Sequence, residues 1–213
     1  MNNLYRFLLF SSFACLLAWV TKTSLISDTL YFNTLADQLT YEQIEDFIAQ
    51  GKQWEWLGYV LIPLVYLIKF SLVALVLSLG LWLVTGRYEF KRLLGVAIEA
   101  EVIFLLPIVI KIFWFLFVQT GYTLQDLQFF YPLSALNLFD YQSLEPWLVY
   151  PLQVLNVFEV AYWVVLAYGV ALRSPEVKPS LSLERAFGLV AASYGTGLVV
   201  WVAVMMFLTL SYS

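Results

Sequence analysis

Five stretches of this chain are each apolar for about the length that crosses a bilayer. That repetition constrains the fold more than any motif the chain carries. A helix needs about 20 predominantly apolar residues to span the hydrocarbon layer, and residues 5–26, 57–84, 95–119, 148–171 and 186–210 qualify. In lipid every backbone N–H and C=O must find a partner within the segment or in a closed barrel, so continuous apolar runs of this length become helices. The expectation is an all-α, polytopic integral membrane protein: a five-helix transmembrane bundle forming a single domain over residues 1–213. Charged residues make up only 12% of the chain, about half the share of a soluble domain. The first run follows Arg6 and continues past Cys15 to Val20 without a small-residue cleavage site, so it reads as an uncleaved span with a buried thiol.

The connecting segments sort by charge. Segment 85–94 holds Arg87, Lys91 and Arg92, and segment 172–185 holds Arg173, Lys178 and Arg185. Segment 27–56 holds one basic residue, Lys52, against six acidic ones, and 120–147 has no Lys or Arg. Basic connectors stay in the cytoplasm, which predicts a cytoplasmic N-terminus, an outside C-terminus and a bacterial inner membrane as the location. Both outer segments are too apolar for plain loops. In "TYEQIEDFIAQG" Thr40 and Gln43 have capping-box spacing and Gly51 suits a helix stop. Leu39, Ile44, Phe47 and Ile48 fall on one side of this segment, which predicts an amphipathic helix on the outer surface. The stretch 124–151 is broken by Pro132, Pro146 and Pro151 and is rich in aromatic residues, Tyr141 among them. It reads as short interfacial or re-entrant helices.

Several function classes are excluded early. The net charge of −4 gives no electrostatic basis for nucleic-acid binding. The absence of histidine removes His-based catalysis and His metal sites. One cysteine makes neither an internal disulfide nor a Cys-rich metal site. Glu99, Glu101, Asp126 and Asp140 have no spacing diagnostic of a catalytic or metal site, so no cofactor, no metal and no enzymatic activity are expected.

The informative residues are the charges inside apolar runs, because each is costly there. Glu99 and Glu101, in "IEAEVIFLLPIVIKIFWFLF", fall about 6–10 Å into a span that begins at residue 95. They read as an interfacial acidic pair within reach of Lys91 and Arg92. Lys69, Lys111 and Glu159 lie deeper, at similar distances from the outer ends of their spans, and are expected to form a buried charged cluster. Gln153, Asn156 and Glu159 recur at intervals of three, a polar stripe on the fourth span. Pro63 and Pro107 are positioned to free backbone carbonyls for Lys69 or Lys111. The cluster admits two readings: an ion or proton pathway, or a Lys–Glu bridge that fixes helix packing. In the last span Gly188 and Ala192, and Ser193 and Gly197, have the small-residue spacing that permits close helix approach, within the chain or to a partner span.

The segments "FYPLSALNLF", "LNVFEVAYWVVLAYGVALRSP" and "SLSLERAFGLVAASYGTGLVVW" resemble the Yip1-like integral membrane domain over roughly residues 129–208. The matching features are Asn156 and Phe158 at the entry of a span, Gly169 near its cytoplasmic end, Arg173 and Arg185 in a short basic connection, and Ala186 at the start of the last span. The long cytosolic N-terminal region and the "DLYGP" motif of eukaryotic members are missing here, so Rab binding does not carry over. The resemblance implies a non-enzymatic membrane protein acting as a scaffold or accessory subunit in membrane organisation, protein trafficking or secretion. Its expected partners are the lipid bilayer and another membrane protein or a second copy of itself. The alternative from the residues themselves is a small ion- or proton-linked transporter or channel using Lys69, Lys111 and Glu159.

Overall fold

A computed structural model describes residues 2–140, 143–173 and 181–212. Tyr141 and Lys178, and the side chain of Arg173, lie outside the described residues. The chain is mostly helical over the described residues, with no strand among them. Its elements are α1 (Asn3–Leu25), α2 (Asp28–Leu35), α3 (Tyr41–Thr85), α4 (Phe90–Ala100), α5 (Leu105–Phe113), α6 (Leu124–Phe129), α7 (Pro146–Val154), α8 (Val157–Arg173), α9 (Leu183–Val190) and α10 (Thr196–Tyr212). A 3-10 turn at Glu101–Phe104 joins α4 to α5, and a π turn at Ala191–Gly195 joins α9 to α10.

Four helical units are long and apolar enough to cross a membrane: Asn3–Leu25, Tyr41–Thr85, Phe90–Val118 and Leu183–Ser211. The fourth apolar run of the sequence is not one helix. It divides into α7 and α8 at Leu155 and Asn156, and α8 is 17 residues long. The expected separate amphipathic helix also differs. The capping box at Thr40 and Gln43 is present, but the helix runs through Gly51 and continues for 45 residues to Thr85. An exposed mid-helix glycine costs only about 1 kcal/mol, less than the gain from propagating through the apolar turns beyond it. The stop is Gly86, whose φ of 72° is left-handed and favours glycine.

Contacts at the helix ends fix their relative directions. The Asn3 amide donates to the Lys91 carbonyl at 2.6 Å and Arg6 pairs with Glu99 at 3.1 Å, so α1 and α4 begin at the same end. At the other end Tyr122 donates to the Leu25 carbonyl at 3.0 Å, and Lys22 pairs with Glu55. Desolvation pushes the Tyr122 phenol above its usual pKa. Gly169, near the end of α8, packs on Val96 of α4, which puts that end beside the starts of α1 and α4.

Two apolar cores lie on either side of the third span. One joins Leu77 and Leu81 of α3, Val96 and Ala97 of α4, Leu166 of α8 and Val190 of α9. The other joins Phe10 and Ala14 of α1 to Phe70, Ile98, Leu105 and Phe115. Large apolar side chains also point outward, including Trp19, Leu64, Leu72, Val164, Val199 and Phe207. Helices apolar on their outer as well as inner faces are what a lipid surround requires.

Candidate functional site

The charged residues meet where two of the membrane-length units are irregular, beside the break between α7 and α8. Glu101 opens the 3-10 turn between α4 and α5. That turn has a sequence cause: Pro107 lacks an N–H and its ring clashes with the carbonyl four residues back, at Ile103. Glu159 sits in the first turn of α8, just after the break. Tyr194 lies in the π turn of the last span. Such local departures from the α-helix frequently mark functional sites.

The break before α8 is built by its own backbone. Asn156 accepts from the Glu159 N–H at 2.8 Å through Oδ1, which makes it the cap of α8. Ala135 donates to the Leu155 carbonyl at 2.8 Å and Val157 donates to the Leu133 carbonyl at 3.2 Å. These bonds use the polar groups the break leaves open. Leu133 takes a φ of 56° to flank the break this way, a strained angle for leucine.

At the centre Lys69 Nζ donates to Glu101 Oε1 at 2.5 Å. The Glu101 side chain is 1% exposed, whereas that of Lys69 is 39% exposed. The ammonium also lies 4.6 Å from the Phe104 ring centroid and 6.0 Å from that of Tyr162, so two aromatic faces share its charge. Glu159 Oε1 accepts from the Trp163 indole at 2.9 Å and from the Tyr194 hydroxyl at 2.8 Å. The Tyr162 and Tyr194 rings meet edge to face at 5.3 Å between centroids. Glu101 Oε2 and the Tyr162 hydroxyl are both buried, and neither has a hydrogen-bond partner. The two side chains lie within reach of each other, short of good hydrogen-bond geometry.

This arrangement corrects the sequence reading in four places. Glu101 is buried inside the bundle and pairs with Lys69. The helix carrying it begins at Phe90, not at residue 95, which puts Glu101 about 16 Å along the axis. Glu99, two residues away, faces the other side, is half exposed and pairs with Arg6 rather than with Lys91 or Arg92. Lys111 does not join Lys69 and Glu159. Its ammonium donates to the Leu127 carbonyl in the last turn of α6, where helix carbonyls lack intrahelical partners. Gln153, Asn156 and Glu159 form no continuous stripe, because Asn156 lies in the gap between α7 and α8 and its amide donates to the Gln153 carbonyl. The member of the cluster that sequence reasoning leaves out is Glu101. Counting depth from Arg92, the last charge before the run, is the signal that finds it.

The small residues of the last span divide. Ser193 packs against Gly80, where an added Cβ would lie 2.8 Å from Ser193 Cβ. Gly195 admits the Trp163 ring that holds Glu159: a Cβ there would lie 2.7 Å from the ring. Gly197 lies near Val76, whereas Gly188 meets open space and Ala192 is exposed. Beside α5 and α6, a cleft of about 580 Å³ opens between Trp114, Asp126, Phe130, Leu136 and Asn137. Among the described residues no group of three His, Cys, Asp or Glu side chains has the arrangement of a metal site. No family model, curated protein or solved structure matches the chain.

Proposed function

We propose that this chain is a non-enzymatic, multi-pass membrane protein that works as a small ion-linked transporter, with Lys69, Glu101 and Glu159 as its mid-bundle site. The observation behind this reading is a second buried carboxylate, Glu101, on the same cluster as Lys69 and Glu159, at irregular points of three spans. Discontinuous helices with charged groups near mid-depth are a recurring way to build ion sites in carriers. A purely structural bridge needs one acid for one base and ordinary helices around them. In this reading α7 and α8 together make one interrupted crossing. The starts of α1 and α4 and the end of α8 face the cytoplasm of a bacterial inner membrane.

The test is ion flux into proteoliposomes under an imposed gradient. Glu159→Gln, which keeps acceptor and shape but removes the charge, should abolish flux while thermal unfolding stays within a few degrees of wild type. Equal flux in the two proteins would end the transporter reading.

The second reading is a Yip1-like scaffold or accessory subunit in membrane organisation or trafficking. It is favoured by the close packing of the C-terminal helices, Gly169 of α8 on Val96 of α4 and Gly195 on Trp163. It predicts a stoichiometric membrane-protein partner, or a second copy of the chain, by native mass spectrometry from mild detergent. A monomer free of partners would count against it.

A further inference from the structure

The cluster holds two carboxylates and one ammonium. Lys69 answers the charge of Glu101 directly, at 2.5 Å. Glu159 has only neutral donors, the Trp163 indole and the Tyr194 hydroxyl. Of the other cations on these helices, Arg6 pairs with Glu99, Lys22 with Glu55, Lys52 with Asp28 and Arg92 with Glu89, Lys111 binds the Leu127 carbonyl, and Lys91 and Arg185 lie in the first turns of α4 and α9. Two full negative charges against one positive charge leave a net charge that a lipid-surrounded interior does not tolerate. A second observation bears on the same oxygen: Glu101 Oε2 is fully buried, and the group within its reach is the Tyr162 hydroxyl, short of good hydrogen-bond geometry.

From this geometry we infer that the site holds one exchangeable proton shared by Glu101 and Glu159, so that the ion it takes is a proton. Two like charges in one buried site cannot both ionise unless something neutralises the excess. A divalent cation asks for six or more oxygen ligands and would sit against the Lys69 ammonium, which already occupies the middle of the cluster. A proton needs one lone pair, and the site offers it at Glu101 Oε2. The titratable groups facing it are Tyr66 and Lys69 from α3, Glu159 and Tyr162 from α8, and Tyr194 from the last span, with Tyr150 behind Tyr194. Tyr162, beside Glu101, and Tyr194, which holds Glu159, meet edge to face near the two carboxylates.

The inference rests on the transporter reading for its purpose but is tested without it. Infrared difference spectroscopy of the purified chain at neutral pH reports a protonated carboxylic acid through its carbonyl stretch, which shifts in heavy water. The wild type should show one such band. Glu159→Gln should lose it, because one carboxylate then balances one ammonium, and Glu101→Gln should lose it for the same reason. Lys69→Met should double it. No band in the wild type, or a full band retained in Glu159→Gln, overturns the inference. Should Glu101→Gln fail to fold, Glu159→Gln and Lys69→Met still decide the matter. A band without flux keeps this inference and removes the transporter reading, and flux without a band does the reverse.

Discussion

The packing of α4 against α8 is open to a quantitative test at Gly169. A Cβ placed there would come within 2.5 Å of Val96 Cγ1 and 3.2 Å of its Cγ2. Val96 cannot step aside, because it sits in the core beside Leu93, Ala97, Leu166 and Val170. Gly169→Ala therefore sets two effects against each other. Alanine favours the helix by about 1 kcal/mol, and forcing a methyl into a filled core costs about 1–3 kcal/mol. The net expectation is a loss of up to about 2 kcal/mol. Val96→Ala alone removes two methyls and leaves a cavity, at a cost of about 1–3 kcal/mol. In lipid the transfer part of that cost shrinks, but the lost van der Waals contacts remain. In the double variant the methyl added at position 169 occupies the space vacated by the Val96 side chain. Its loss should fall below about 1 kcal/mol, a coupling of about 2 kcal/mol. Equilibrium unfolding in mixed micelles, followed by circular dichroism, measures all four corners of the cycle. Additivity within about 0.5 kcal/mol would mean that Gly169 and Val96 do not touch, and the placement of α8 on α4 would be wrong.

Two further expectations address the break and the sidedness. Asn156→Ala removes the cap of α8 and should cost about 0.5–2 kcal/mol, whereas Asn156→Asp, which keeps the acceptor, should cost less; equal losses in the unfolding assay would refute the capping role. On a Cys15→Ser background, Tyr88→Cys and Gln128→Cys, both exposed in the structure, should react with an impermeant thiol reagent from opposite faces of right-side-out vesicles. Labelling of both from one face would defeat the five-crossing arrangement.

Much of the fold is legible because lipid leaves a long apolar run few choices. Four runs form membrane-length helical units near the expected bounds, and the Thr40–Gln43 cap appears as its spacing predicts. The bound that differs, at Gly51, differs for an energetic reason. A single glycine is a weak stop when strong helix-forming turns follow it, and Gly86 succeeds because the chain there leaves the helix through a positive φ. The break at Asn156 carries a local signal of its own. An Asn followed three residues later by Glu, ahead of an apolar run, has the spacing of a helix start. The periodicity of three draws attention instead to a stripe.

The site is harder to read because depth and facing both depend on where a helix begins. Residues two apart point to different sides of a helix, so Glu101 turns into the core while Glu99 stays half exposed beside Arg6. Lys111 belongs elsewhere for the same geometric reason: ten residues beyond Glu101 is about 15 Å further along the axis, level with the outer helix whose carbonyl it binds. The partners of Glu159 come from i+4 on its own helix, Trp163, and from a residue 35 positions away, Tyr194. The first follows from helical spacing and the second from tertiary packing alone. Gly195 connects these levels. By carrying no side chain it admits the Trp163 ring beside Tyr194, so a small residue in one span sets how a carboxylate is held in another. The small-residue spacing of the last span thus acts on the charged cluster from inside the bundle, at Ser193 and Gly195. Gly188 and Ala192, on the outward side of the same span, take no part in it.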